Sequence, residues 1–310
     1  MSHAHDHRAH DHTHSHPPAG RGGSRETRLL IAFVLTALAL VAEAVGGWLS
    51  GSLALLADAG HMLVDAAALM FAWLAAYFAK RPADALRSFG YARLEVLVGY
   101  SNALLQFVLV VWIVVEAAMR LQDPQPILSG TMLFVALFGL AVNAFVLFVL
   151  SGHAHDDLNT ASARLHVLGD LFGSVGAVAA ALLIRGFGWL WTDPLISVLV
   201  SLLILASAWR LLRRSAHILL EGVPDGLDTV RVGDVLKREA EGVRDVHHVH
   251  VWQIAGGYHL ATLHVRLQPG ASPAAAIRAV HEVLHDRFDI GHATVQIEDD
   301  ECAGAPCAHS

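Results

Sequence analysis

Cysteine is nearly absent from this chain: Cys302 and Cys307, both close to the C-terminus, are the only two in 310 residues. Two late cysteines make no disulfide scaffold. Charge is scarce as well, at 16% of residues, where a soluble domain averages roughly 25%. There is no basic surplus either. The formal net charge is −7, which excludes the basic surface of a nucleic-acid-binding protein. The N-terminus lacks the basic-then-apolar start of a cleavable signal peptide, so none is expected.

What the chain has instead is apolar length. Hydrophobic residues make up 55% of it and its mean hydropathy is +0.49. Six stretches, near 29–49, 53–79, 94–120, 127–150, 160–185 and 193–212, reach the roughly 20 residues needed to cross a bilayer. The hydrophobic content stops near residue 222. This predicts an all-α six-helix transmembrane bundle over 29–222, embedded in a lipid bilayer, followed by a polar domain over 223–300. A His-rich tail (1–28) and a Cys-containing tail (301–310) flank the two. Residues 1–28 hold seven His interleaved with Ala, Asp, Arg, Thr and Ser, then Pro17 and Pro18. That composition reads as a disordered, metal-collecting tail. Arg21, Arg25 and Arg28, then Lys80, Arg81, Arg87 and Arg93, then Arg210, Arg213 and Arg214 fall on one side of the spans, with Arg120 and Arg185 opposite. By the positive-inside rule both termini are cytoplasmic.

Two of the apolar stretches carry the same pair of side chains. His61 and Asp65 lie in LADAGHMLVDAAALM, and His166 and Asp170 in ARLHVLGDLFGSVG. Four residues is about 1.1 turns of α-helix, so each pair occupies one helix face. Ionisable groups inside a membrane span are costly and mark a transport or binding site. Together the pairs offer two imidazoles and two carboxylates, a tetrahedral set suited to Zn2+. A divalent cation neutralises the two carboxylates, which makes the filled site tolerable at membrane depth. Gly169, Gly173 and Ala177 beside Asp170, and Ala59 and Gly60 beside His61, are small residues that allow close helix approach. Glu43, Asn102, Gln106 and Asn143 read as hydrogen bonds between helices, with lining of the ion's route as the alternative. A metallohydrolase in the membrane would need three protein ligands, an open position for water and a general acid or base, a pattern that the quartet does not present.

The polar domain reads αββαβ. LDTVRVGDVLKREAEG is helical, VHHVHVWQIAG and GYHLATLHVRLQ are strands meeting at Gly256-Gly257, and Ser272-Pro273 opens a helix through Phe288 before the strand HATVQIE. The small α+β sheet carries helices on one face.

The segments GSLALLADAGHMLVDAAALM, SFGYARLEVLVGYSNALL, HVLGDLFGSVGAVAAALLI, TDPLISVLVSLLILASAWRLL, HHVHVWQI and HATVQIE resemble the cation diffusion facilitators, a family of zinc transporters. The resemblance implies six transmembrane helices, a cytoplasmic ferredoxin-like domain, a homodimer, and divalent metal exchanged for protons; the short loops and compact length favour a bacterial inner membrane. It implies that His61, Asp65, His166 and Asp170 form the transport site, with His in the first position favouring Zn2+. Another soft or borderline metal, Co2+ or Cd2+, is the alternative cargo. Arg93 matches a basic position implicated in a charge contact at the dimer interface.

The resemblance also implies a regulatory zinc site in the cytoplasmic domain, at His247, His264 and Glu298. Other His there are His248, His250, His259, His281 and His285. Alternation turns Leu263 and Val265 inward and His264 outward, and likewise Val295 and Ile297 inward and Glu298 outward. His247 shares parity with Val249 and Val251, so its exposure needs a twist or bulge. Cys302 and Cys307, spaced CxxxxC, are weaker candidates for the same site. A further metal site of some relatives, in the loop between spans two and three, is degraded here: Asp84 remains, but Arg87 and Tyr91 stand where two His would. No metal is expected there. His153 and His155, between spans four and five, read as solvated.

Overall fold

The computed structural model describes residues 22–151, 158–255 and 257–298, with side chains described outside 22–32, 149–151 and 158–167. The tail His, His153, His155, Cys302 and Cys307 lie outside the described residues, as does the side chain of His166.

Among the described residues, six helices are long and apolar enough to cross a membrane: α1 (Gly22–Ser50), α2 (Leu53–Ala79), α3 (Leu94–Gln122), α4 (Ser129–Ser151), α5 (Leu158–Phe187) and α6 (Thr192–Leu219). α3 lies along α6, α4 along α5, and α1 against α4, while α2 packs on α1, α3, α5 and α6. The bundle interior is built from small side chains, among them Ala39, Ala57, Ala103, Ala117, Ala136 and Ala180, all fully or almost fully buried. Small residues bring helix backbones close where no hydrophobic effect separates protein from lipid. The bulky apolar residues face outward, Phe33, Trp73, Phe134 and Phe148 among them. Trp189 stacks on Phe187 and Trp191 at 5.0 and 5.7 Å, an aromatic cluster of the kind that sits at a bilayer surface.

The same end of the bundle is fastened by Asp193, a residue that the sequence reading did not single out. Its side chain is wholly buried at the start of α6. It accepts the Ser52 hydroxyl (2.6 Å) and the backbone N–H groups of Leu53 (2.7 Å) and Ala54 (3.2 Å). Ser52 in turn caps α2 through Leu55 N–H. The first turn of α2 thus finds the acceptors that a helix start requires. Gly51, at φ +74°, makes the tight turn from α1. Arg120 of α3 donates to the Gly51 carbonyl, pairs with Glu116 at 2.8 Å and lies 4.0 Å from Asp193.

The polar domain is α7 (Thr229–Glu239), β1 (Val243–Gln253), β2 (His259–Leu267), α8 (Pro273–Phe288) and β3 (Ile290–Glu298). The sheet order is β1-β2-β3, with β1 and β2 antiparallel and β2 and β3 parallel across the α8 crossover. This is a ferredoxin-like α+β domain. Its core joins Val232 and Leu236 of α7, Val280 and Leu284 of α8, and Val243, Val246, Val251, Leu263, Val265 and Ile290 of the sheet. Each such burial contributes about 1.5–3 kcal/mol.

β1 departs from plain alternation. Its register against β2 shifts between Val243 and Asp245, and again between His247 and His250. Each bulge adds one residue and turns the residues beyond it to the other face. That is why the inward residues run Val243, Val246, Val249, Val251. The second bulge contains His248, at φ +51°. A non-glycine residue in that region costs of order 1–3 kcal/mol and persists only where the surroundings hold it.

Candidate metal centres

In the membrane domain, α2 and α5 present their acidic faces to each other. His61 Nε2 lies 3.6 Å from Asp65 Oδ2, one turn along α2, and 3.9 Å from Asp170 Oδ1 on α5. Zinc bonds of 2.0–2.2 Å in tetrahedral geometry hold neighbouring ligand atoms about 3.4 Å apart. Both carboxylate oxygens therefore stand within about half an ångström of a metal-ready spacing from the His61 nitrogen. Asp170 is buried, and His61 and Asp65 are mostly so. The backbone of residue 166 is helical, one turn before Asp170 on α5.

Gln106 of α3 does join helices, and it does so at the site: its Nε2 donates to Asp65 Oδ1 of α2 at 2.7 Å. One carboxylate oxygen is held by the amide while the other faces His61. Such a partner orients a ligand and tunes it. Asn143 does join helices, donating to Ser174 Oγ at 3.0 Å.

Asp58 was missed. It lies three residues before His61, hence on the same helix face, and that spacing was the available signal. It is buried, as is Glu43 of α1. Gly139 of α4 makes room for Glu43, whereas an added Cβ at Gly173 would meet the Asp58 oxygens at an ordinary 3.4 and 3.5 Å. Of the other small residues, Ala59 and Ala177 are buried. Gly60 faces Leu109 of α3, and Gly169 meets nothing within 4 Å.

In the cytoplasmic domain, Glu298 at the end of β3 bridges two imidazoles. Its Oε2 is 2.9 Å from His247 Nε2, and its Oε1 is 2.8 Å from His264 Nδ1. One ligand atom from each residue falls within 4.8 Å of the others. His264 pairs with His247 across β1 and β2. The bulge after His247 supplies the break in alternation that its position demands. Glu298 is on the expected face, yet it is not exposed, because the two imidazoles cover it: its side chain is 1% exposed. His247 Nδ1 lies 3.4 Å from Asp245 Oδ2, and Asp245 pairs with Lys237 of α7 at 2.9 Å. The Lys237 ammonium holds the Asp245 carboxyl below its usual range. This chain of contacts orients the His247 ring from behind.

Other candidates are spent elsewhere. Asp84 accepts the N–H groups of Leu86 and Arg87 at 2.8 Å each, which keeps its carboxyl below the usual range, and it also meets the Arg87 guanidinium at 3.4 Å. That guanidinium lies over the Tyr91 ring at 4.6 Å. Arg93 pairs within the chain with Glu221 at 2.7 Å, linking the start of α3 to the segment after α6. The sequence reading also passed over one HExxH string, His281-Glu282-Val283-Leu284-His285 on α8. Its His281 is turned onto the carbonyls of Ile277 (2.8 Å) and Ala293 (3.1 Å), and His285 is exposed beside Asp286. The string assembles no metal cluster among the described residues.

Comparison with known proteins adds context to this geometry. Residues 29–220 match the cation efflux transmembrane domain family, and residues 224–300 the cytoplasmic domain of cation efflux proteins. The chain is 46% identical over 300 residues to the zinc transporter ZitB of Escherichia coli, covering 96% of this chain and 95% of that one. It is 42% identical over 298 residues to the metal cation efflux system protein CzcD of Cupriavidus metallidurans, covering 96% and 92%. It is 36% identical over 291 residues to the cadmium, cobalt and zinc/H(+)-K(+) antiporter of Bacillus velezensis, covering 93% and 91%. Among solved structures, the metal-bound C-terminal domain of the CzcD transporter aligns with a TM-score of 0.22 and 29% identity, over 23% of this chain and 99% of that one.

Proposed function

The chain belongs to the cation efflux, or cation diffusion facilitator, family of metal-cation transporters, and we propose that it is a zinc/proton antiporter that exports Zn2+ from the cytoplasm. It is a multi-pass membrane protein and not an enzyme. The observation that carries the finer reading is the convergence of His61, Asp65 and Asp170 from two helices at near-ligand spacing. His166, on the same α5 segment as Asp170, completes the set of two imidazoles and two carboxylates.

The chemistry of exchange rests on the donors. Metal binds only deprotonated imidazole and carboxylate, so cargo and protons compete for the same lone pairs. Zn2+ entering from the cytoplasm displaces protons. Rocking of the bundle then exposes the ions to the other side, where higher proton activity reprotonates the ligands and releases the metal. Imidazole in the set favours zinc over metals that prefer all-oxygen sites. Both termini lie in the cytoplasm, the membrane is a bacterial inner membrane, and the working unit is a homodimer. In the cytoplasmic domain, His247, His264 and Glu298 hold a second, regulatory zinc ion. The buried Glu298 carboxylate between two imidazoles is the anionic, preorganised donor set such an ion requires.

A second reading, Co2+ or Cd2+ as the main cargo, draws on the relative named for cadmium, cobalt and zinc. Proteoliposomes containing a pH-sensitive dye distinguish the two. Zn2+ added outside should move protons in the opposite direction, at lower concentrations than Co2+ or Cd2+. Metal uptake without proton movement contradicts antiport, and stronger responses to Co2+ or Cd2+ contradict zinc as the cargo.

A further inference from the structure

We propose that His248 is the fourth ligand of the cytoplasmic metal centre, closing it as a three-imidazole, one-carboxylate site for zinc or a similar borderline cation. The proposal rests on the reading of His247, His264 and Glu298 as metal ligands. In a regular strand, neighbours point to opposite faces, and His248 would turn away from His247. The bulge between His247 and His250 and the left-handed backbone at His248, φ +51°, place both rings on the same side of the sheet. The ring centroids of His247, His248 and His264 form a triangle with sides of 5.5, 4.9 and 5.6 Å. Three imidazoles bound tetrahedrally through bonds of about 2.05 Å would set their centroids about 5 Å apart. His248 Nε2 is buried and has no hydrogen-bond partner among the described residues, a costly state unless the atom has another use. A strained backbone that brings a buried, unpartnered ring nitrogen beside the two candidate ligand rings points to a functional constraint. Four protein ligands leave no open position for water, so the centre suits a resident ion and not hydrolysis.

The test uses the full-length protein with Asp65→Ala and Asp170→Ala in every sample, which silences the membrane site equally throughout. Zinc affinity is measured against a competing chelator, and Co2+ absorption reports tetrahedral coordination. His248→Gly removes the imidazole while suiting the left-handed backbone, and His248→Asn tolerates it. Both should weaken zinc at least about tenfold and dim the Co2+ bands, without loss of fold by circular dichroism. Binding and spectra within twofold of the parent, in variants that remain folded, overturn the proposal. His264→Ala separates the two levels. If it abolishes binding while the His248 variants do not, the centre stands without His248. If it too changes nothing, the three-residue centre itself falls. Equal loss in Cys302→Ser/Cys307→Ser, with none in the His248 variants, assigns the fourth position to the tail and overturns the proposal.

Discussion

Replacing Gln106 by Leu tests whether the membrane site is preorganised. Gln106 is 5% exposed, and its amide lies 2.7 Å from Asp65 Oδ1. Leu keeps nearly the same volume and removes the donor, so the bundle should still pack. A hydrogen bond to a charged group contributes roughly 1.5–3 kcal/mol. At about 1.4 kcal/mol per factor of ten, the zinc affinity of the site should fall by roughly tenfold to a hundredfold. The effect belongs in KM, since the amide positions a ligand and performs no chemistry. Zinc uptake into proteoliposomes gives KM and maximal rate separately, and titration of the detergent-solubilised protein gives affinity. A KM unchanged from wild type would refute the positioning role. So would a fall in maximal rate at constant KM, which would make Gln106 ordinary packing.

Other outcomes rest on local geometry. Asp193→Ala removes the acceptor for the Ser52 hydroxyl and two backbone N–H groups at a buried helix start. At about 1–3 kcal/mol per orphaned group, it should cost at least about 3 kcal/mol and lower the melting temperature in detergent, whereas full stability would show that the cap is dispensable. Gly139→Ala drives a Cβ into Glu43 Oε1, whereas at Gly173 an added Cβ meets Asp58 at an ordinary 3.4 Å. Thermal melts should show a loss of about 1–3 kcal/mol for the first and little for the second. Lys237→Met removes the partner that depresses Asp245. The pair is part-exposed, so the loss at neutral pH should stay below about 1 kcal/mol. Because the folded carboxyl is depressed, that contribution is present above the unfolded value of about 3.9 and disappears as pH falls through the lower folded value. Equal gaps between variant and wild type at pH 7 and at pH 3 would contradict it.

The six spans were legible because lipid leaves no alternative: long apolar runs must become helices that satisfy their own backbone. The His61–Asp65 and His166–Asp170 pairs were legible because helical spacing alone places them on one face. The structure shows where His61, Asp65 and Asp170 converge, and the His166 side chain lies outside the described residues. Asp58 lies outside the four-residue repeat, and only its three-residue offset from His61 marks it as sharing that face. Gln106 was legible as a hydrogen bond between helices, but an amide in a helix bundle has many possible partners, and only tertiary structure chooses Asp65. Alternation failed in β1 for a physical reason. Two bulges each shift the parity, and the broken spacing of Val243, Val246, Val249 and Val251 is their only trace in the sequence. The same bulge that made His247 look misplaced brings His248 beside it.

The most direct measurement of the central claim is zinc flux into proteoliposomes under an imposed pH gradient, comparing wild type with Asp65→Ala and Asp170→Ala. If these carboxylates hold the transported ion, both variants should reconstitute as folded protein and lose gradient-driven zinc uptake. Uptake at wild-type rates in both would contradict the site.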